Sequence, residues 1–307
     1  YVGKPPELGT DVFNMPLGLT DGTKPAFNTG FPVDFLIYKK PAVSGDWFTG
    51  ARLIGTNYLE ANNNVGQSTN ANIQWDFQDG MGGWSGLSSG YQSWGFKRHA
   101  GFDCICYKGT GTTHQIAHSL NKTVEMFWLK SRDSSANWMV WHKGLNGGTN
   151  PEQYFIRLNL TNAESQGSSF GDTAPTSTHF TVGASSNAIN TDGDDCIAML
   201  FASVDGISKV GSYTGNGSTT ERTITLGFQP RFIIIKNADG DYGNSWEVLD
   251  TTRGWGSGND KRIWLDGNWA QDDSINVGAP TSTGFTLTTD YTGMNANNNT
   301  YIYYAHA

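Results

Sequence analysis

Across 307 residues the chain sets 20 Lys and Arg against 28 Asp and Glu, a formal charge of −8. That balance excludes an extended nucleic-acid interface, which needs clustered cations to displace counterions. Only 16% of residues are charged, glycine contributes 39 positions, and no run rich in Glu, Lys, Leu and Ala occurs, so the composition excludes a helical protein and points to all-β structure with many tight turns.

Residues 1–30 hold Pro5, Pro6, Pro16 and Pro25 without apolar periodicity, and are expected to form an extended lead-in lying on a neighbour, with a short strand inside 11–18. No leader peptide is visible, although a chain that starts at Tyr1 leaves targeting unread. No apolar run has the length of a bilayer-spanning helix, so no membrane insertion is expected. A first unit, 31–112, opens with FPVDFLIYKK, a strand ending in Lys, and Trp47 follows Lys39 after eight residues. The polar, Gly-rich stretch beyond Leu59 embeds Trp75, Trp84, Tyr91 and Trp94, and FDCICYKG is the expected closing strand.

The second unit, 113–217, repeats the plan: VEMFWLK ends in Lys130, Trp138 follows, then YFIRLNL, PTSTHFTVG with Phe180, and the dense strand CIAMLFA. The third, 218–307, does so again with RFIIIK, Trp246, PTSTGFTLT with Phe285, and YIYYAHA. Asn216-Gly217, between these two units, carries the sequence of a tight hairpin turn. One β module is therefore written three times, the first copy degenerate because it lacks PTST. Short alternating strands between turn clusters predict repeated antiparallel β-sandwich-like modules, jelly-roll or lectin-like, with long Gly/Asn-rich loops. Trp47, Trp138, Trp246, Phe180 and Phe285 recur at fixed positions and are expected to be core anchors. Recurrence marks architecture, because a binding site is normally used in one copy.

No catalytic arrangement emerges. His114 and His118 lack a third ligand and an intervening Glu, and neither a nucleophile elbow nor a phosphate loop is present. The acidic turns at Asp192–Asp195 and Asp239–Asp241 do not follow a calcium-loop pattern, and Cys104, Cys106 and Cys196 read as small apolar residues. No metal and no cofactor are expected. Carboxylates are numerous enough to keep a glycosidase pair as an alternative. The best binding signal is aromatic rings beside Asp, Asn and Arg, since a ring covers the C–H face of a sugar while polar groups meet its hydroxyls. That composition nominates Trp75, Trp84, Tyr91 and Trp94 in the first unit and Arg253, Trp255, Asp260, Trp264 and Trp269 in the third as glycan-contacting residues. Trp141, also beside a loop, is expected to be exposed.

The ordered motifs YFIRLNLTNAE, PTSTHFTVG, IAMLFASVDGISKVGSYTGNG, LGFQPRFIIIK, SWEVLDTTR and YIYYAHA resemble a β module of tail-fibre and other virion proteins of marine and cyanobacterial phages. The resemblance is close over 123–307 and loose over 31–109. It implies a non-enzymatic bacteriophage virion protein at the particle surface, a tail fibre or other appendage, forming a homo-oligomer (a trimer above all) with other virion proteins. A bacterial surface glycan is the expected contact. The alternative is a capsid-decorating or purely structural particle protein.

Overall fold

The structure is a computed structural model that describes residues 8–19, 23–82, 90–184, 188–240, 244–256 and 258–307. Within these residues all pairing is antiparallel, and the one α-helix is the four-residue turn Thr292–Asn295. Three large sheets share one strand order. An opening strand (Phe13–Asn14, Phe102–Lys108, Ser208–Thr214) lies at the edge of each. Next to it lies the closing strand (Gln92–Phe96, Asp195–Phe201, Thr300–His306), then the lysine strand (Phe35–Lys39, Met126–Ser131, Phe232–Asn237). The tryptophan strand (Phe48–Ala51, Met139–His142, Trp246–Asp250) and an outer strand (Asn57–Glu60, Tyr154–Arg157, Ile263–Trp264) complete the row. The chain is all-β, and each unit is sandwich-like. A small sheet covers each large one, and the two PTST segments lead into equivalent strands of it, His179–Val182 and Gly284–Leu287.

Strand pairing corrects three expectations. FDCICYKG does not close the first unit: Phe102–Lys108 pairs along its length with Asp195–Phe201 and opens the second sheet. The first unit closes instead on Gln92–Phe96, inside the stretch read as an aromatic loop, where Gln92 and Ser93 are fully buried. The lead-in is not separate either, since Phe13–Asn14 pairs with that closing strand and Phe27–Asn28 joins the small sheet. Finally, Asn216-Gly217 closes no hairpin, because Ser208–Thr214 pairs with Thr300–His306 and Arg222–Thr225 with Gly284–Leu287. An apolar run shows that a strand is buried, not which strand it pairs with.

Near-continuous apolar strands follow from burial on both faces. Along the third lysine strand, Ile233 and Ile235 pack under their own small sheet with Phe285, while Phe232 and Ile234 face a core shared by all three units. In the first unit Leu36 and Tyr38 lie on the outer side, and Phe35 and Ile37 on the shared side. This is the two-residue period of a strand applied to two different cores. The closing strands meet at the centre, where Phe96, Phe201 and Tyr304 form a triangle of rings with centroids 6.1, 4.8 and 6.3 Å apart.

The anchor tryptophans join the units in a ring. Trp138 Nε1 donates to the Glu60 carbonyl at 2.9 Å, Trp246 to Arg157 at 2.9 Å, and Trp47 to Trp264 at 2.7 Å. Each acceptor ends the outer strand of a different unit, so second binds first, third binds second and first binds third. A second cycle runs beside it: Gln67 N–H donates to Arg132 O, Glu164 to Ala238 and Gln271 to Pro41, at 2.6, 2.8 and 2.8 Å. The peptide N–H of each anchor is capped within its own unit by Asn62, Asn159 or Asp266. All three indoles are buried, so each N–H needs its carbonyl. Lys39, Lys130 and Lys236 are also buried, their ammonium groups ringed by backbone carbonyls, and burial lowers Lys39 and Lys130 to about 8.

Two outcomes are expected. Trp138→Phe removes an indole N–H, strands the buried Glu60 carbonyl and opens space at the ring, so urea denaturation should show a loss of about 2–3 kcal/mol. Trp269→Phe, at an exposed site, should leave the midpoint unchanged. Burial also lowers His142 and His306 to about 3 and His99 to about 4, while the unfolded chain takes these protons near the ordinary value of about 6.5. Folded pKa values below the unfolded one mean stability is complete above pH 6.5 and falls as pH drops towards 4, by up to about 1.4 kcal/mol per pH unit for each ring. Replacing His142 by Gln should flatten this slope; an unchanged slope would remove His142 from the account.

Candidate functional site

The ten described tryptophans divide sharply. Trp47, Trp75, Trp94, Trp128, Trp138, Trp141, Trp246 and Trp255 are buried, Trp264 is half-buried, and Trp269 is 52% exposed. Most of the nominated glycan contacts are therefore internal. Trp75 donates to the Gly55 carbonyl at 2.7 Å and sits in the first unit's outer core. Trp94 stacks near Trp47 with centroids 5.1 Å apart and donates to Asp250. Arg253 pairs with Asp250 at 2.6 Å and donates to the carbonyls of Val248 and Lys261. Asp260 accepts the N–H groups of Gly256 and Val277, and Trp255 packs against Phe285. The charged residues of the 250–260 loop brace the loop and do not face solvent. Trp141 is buried against Phe127, which corrects its expected exposure. Tyr91 is half-buried near Tyr38, and Trp84 lies outside the described residues. The core anchors Phe180 and Phe285 are buried as expected.

Two nominated residues do form a surface. Trp264 and Trp269 meet edge to face with centroids 5.9 Å apart at an interplanar angle of 86°. Trp264 is immobilised from below: its Nε1 donates to Glu247 Oε1 at 3.0 Å, and the Arg262 guanidinium lies 5.6 Å from its ring centre. Tyr291 donates to the same Glu247 oxygen at 2.8 Å, Arg262 pairs with Glu247 at 3.8 Å, and Arg262 also pairs with Asp272. The Trp269 ring lies over Gly267, where any Cβ would collide with it. The loop is held on the first unit, because Asn268 offers its carbonyl to Gly45 N–H at 2.7 Å and to the Lys39 ammonium at 3.1 Å. Trp269 is thus an exposed ring on a preorganised base, in a loop that also exposes Asn268, Asp273 and Ser274.

Glu247 and Arg262 were missed as site residues, and aligned repeats contain the signal. Their counterparts in the first unit are Phe48 and Tyr58, whose rings touch at 5.6 Å. The third unit has replaced an aromatic contact by an ion pair with both side chains at most 5% exposed. Burial pushes Glu247 up to about 7 despite Arg262, and burial together with Glu247 raises Tyr291. A buried pair of this kind is poor at stabilising a fold compared with packed apolar groups. What it provides here is a fixed acceptor for the Trp264 indole.

Among the described residues no group of three or more His, Cys, Asp or Glu is placed to hold a metal ion. The buried carboxylates are engaged in bracing. Asp103 takes Arg98, Cys104 N–H and Ser119; Asp250 takes Arg253 and Trp94; Asp260 takes two backbone N–H groups. No curated protein matches the chain. A family described as a domain of unknown function, DUF7483, matches residues 48–307, and the chain belongs to that family.

Proposed function

We propose that this chain is a carbohydrate-contacting module of a bacteriophage surface appendage, a tail fibre or similar virion part, that recognises a host glycan without cleaving it. The observation that carries the glycan reading is the Trp264–Trp269 platform: one exposed indole on a braced neighbour, in a loop that also exposes amide, hydroxyl and carboxylate side chains. A flat apolar face beside such groups suits the two kinds of surface on a pyranose ring. The resemblance of the ordered motifs to phage virion modules supports the appendage reading. So does the architecture, whose recurring polar residues serve unit-to-unit bonding rather than chemistry. The non-enzymatic reading is supported by the carboxylates described above, each committed to an Arg, a Trp or a backbone N–H. The homo-oligomer belongs to the same proposal, with Leu8, Leu17 and Leu19, exposed at the first unit's edge, as surface for a neighbour to cover.

The test is binding of the purified chain to immobilised bacterial surface glycans and to host cells. Trp269→Ala should weaken binding roughly 10- to 100-fold, the range expected when a central Trp contact is removed, with an unchanged unfolding midpoint. Trp255→Ala serves as the contrast, because it should lower stability through the third unit's core. Full binding by the Trp269→Ala chain would exclude the platform, and release of reducing sugar from any bound glycan would overturn the non-enzymatic reading.

A further inference from the structure

The second unit carries a polar cleft. It has a volume of about 300 Å³ and is lined by Gln153, Gln166, Gly167, Ser168 and Asp172, at the base of the hairpin formed by Tyr154–Arg157 and Ser165–Gln166. The first unit makes the same backbone bond at this place: Gly167 N–H donates to Gln153 O at 2.9 Å, as Asn70 N–H donates to Thr56 O at 2.9 Å. Where the first unit has an asparagine side chain, the second has none. In the third unit the Arg262–Asp272 ion pair spans the same hairpin two residues along from this position. Gly167 also lies against Phe155, where a Cβ would come within 3.0 Å of the ring, so a larger residue would press on the strand.

The lining decides the ligand class. Two primary amides supply donors and acceptors, Asp172 supplies acceptors only, and the Ser168 hydroxyl, donating to Asp172 at 3.2 Å, holds that carboxylate in place. Neither glutamine amide has a hydrogen-bond partner within the described residues. No apolar side chain lines the cleft, which removes the driving force for an apolar ligand, and its single charge is negative, which disfavours an anion. The volume is at the lower end for small-molecule sites and suits one sugar ring. We infer that this cleft binds a single neutral monosaccharide unit through its hydroxyls, as a second saccharide site separate from the Trp269 platform.

The two sites separate in one experiment. Saturation-transfer NMR is run with glucose, galactose, mannose, N-acetylglucosamine and glucuronate on the full chain carrying Trp269→Ala, so that the platform cannot contribute. At least one neutral sugar should still receive saturation. Adding Gln153→Ala and Gln166→Ala, both at solvent-accessible positions, should weaken that sugar at least tenfold with unchanged circular dichroism and unfolding midpoint. Gly167→Asn, which installs the first unit's residue, should also weaken that sugar, with a lowered unfolding midpoint because its Cβ meets the Phe155 ring. The inference is overturned if no neutral sugar gives a signal, if glucuronate is preferred, or if the glutamine variants bind as before. A signal that calcium ions abolish at equimolar concentration would assign the cleft to a cation instead. Failure at Trp269 alone would leave this site standing.

Discussion

The three anchor indoles are buried, and each donates its N–H to a carbonyl of another unit. Trp47, Trp138 and Trp246 each sit at the start of a tryptophan strand, fully enclosed, and each reaches a carbonyl at the end of the outer strand of the preceding unit around the ring. A net hydrogen bond is worth only about 1 kcal/mol, but leaving such a group unpaired in a dry interior costs about 1–3 kcal/mol. A single unit therefore cannot satisfy its own anchor, and two units leave one anchor open. Three close the cycle. The same logic governs the backbone bonds from Gln67, Glu164 and Gln271, which accompany the indoles around the ring. Closure then explains the double-faced strands, because one face serves the unit's own small sheet and the other the common centre.

The buried lysines belong to this scheme. Lys39 sends its ammonium to the Gly45 carbonyl of its own unit and to Asn268 of the third, and Lys236 reaches Thr161 of the second. Enclosing a cation is costly, and burial accordingly lowers the pKa of Lys39 and Lys130. Carbonyls at the ends of loops are otherwise unpaired acceptors, and three donors on one flexible stem can gather several of them. A lysine at the end of the strand thus ties loops together at the positions where an indole ties strands.

Much of the architecture was legible in the sequence because these devices recur. The Lys–Trp spacing and the PTST segments identified the module, and the module predicted which tryptophans are anchors. Where the reading failed, local composition had been taken for environment. Gln92-Ser93-Trp94-Gly95-Phe96 looks like loop, yet it is the first unit's closing strand, with Gln92 Nε2 satisfied by the Met15 carbonyl at 2.8 Å. FDCICYKG looks terminal because it is apolar, yet its partner strand lies nearly a hundred residues on. Arg253, Trp255 and Asp260 looked like a sugar-binding set. Their polar atoms turn inwards, because a long loop crossing a sheet needs internal partners for its own N–H groups and carbonyls.

Departures from the threefold pattern carry the information about binding that the pattern itself lacks. The apex of the outer hairpin is Val65 in the first unit, Asn162 in the second and Trp269 in the third, with 41% exposure for Val65 and 52% for Trp269. An indole at that apex contributes nothing to closure, since the ring bonds are made by the residues before and after it. It is nevertheless supported by two further departures, Glu247 in place of Phe48 and Arg262 in place of Tyr58, which exchange a favourable aromatic contact for a costly buried ion pair. Three linked substitutions in one copy, each unfavourable or indifferent for the fold, share one consequence: Trp264 is fixed and Trp269 is presented on it. Gly167 departs in the same sense, removing a side chain that the first unit keeps at that position. A threefold scaffold leaves its equivalent loops free to diverge, and the aromatic platform and the polar cleft occupy different copies of the same hairpin.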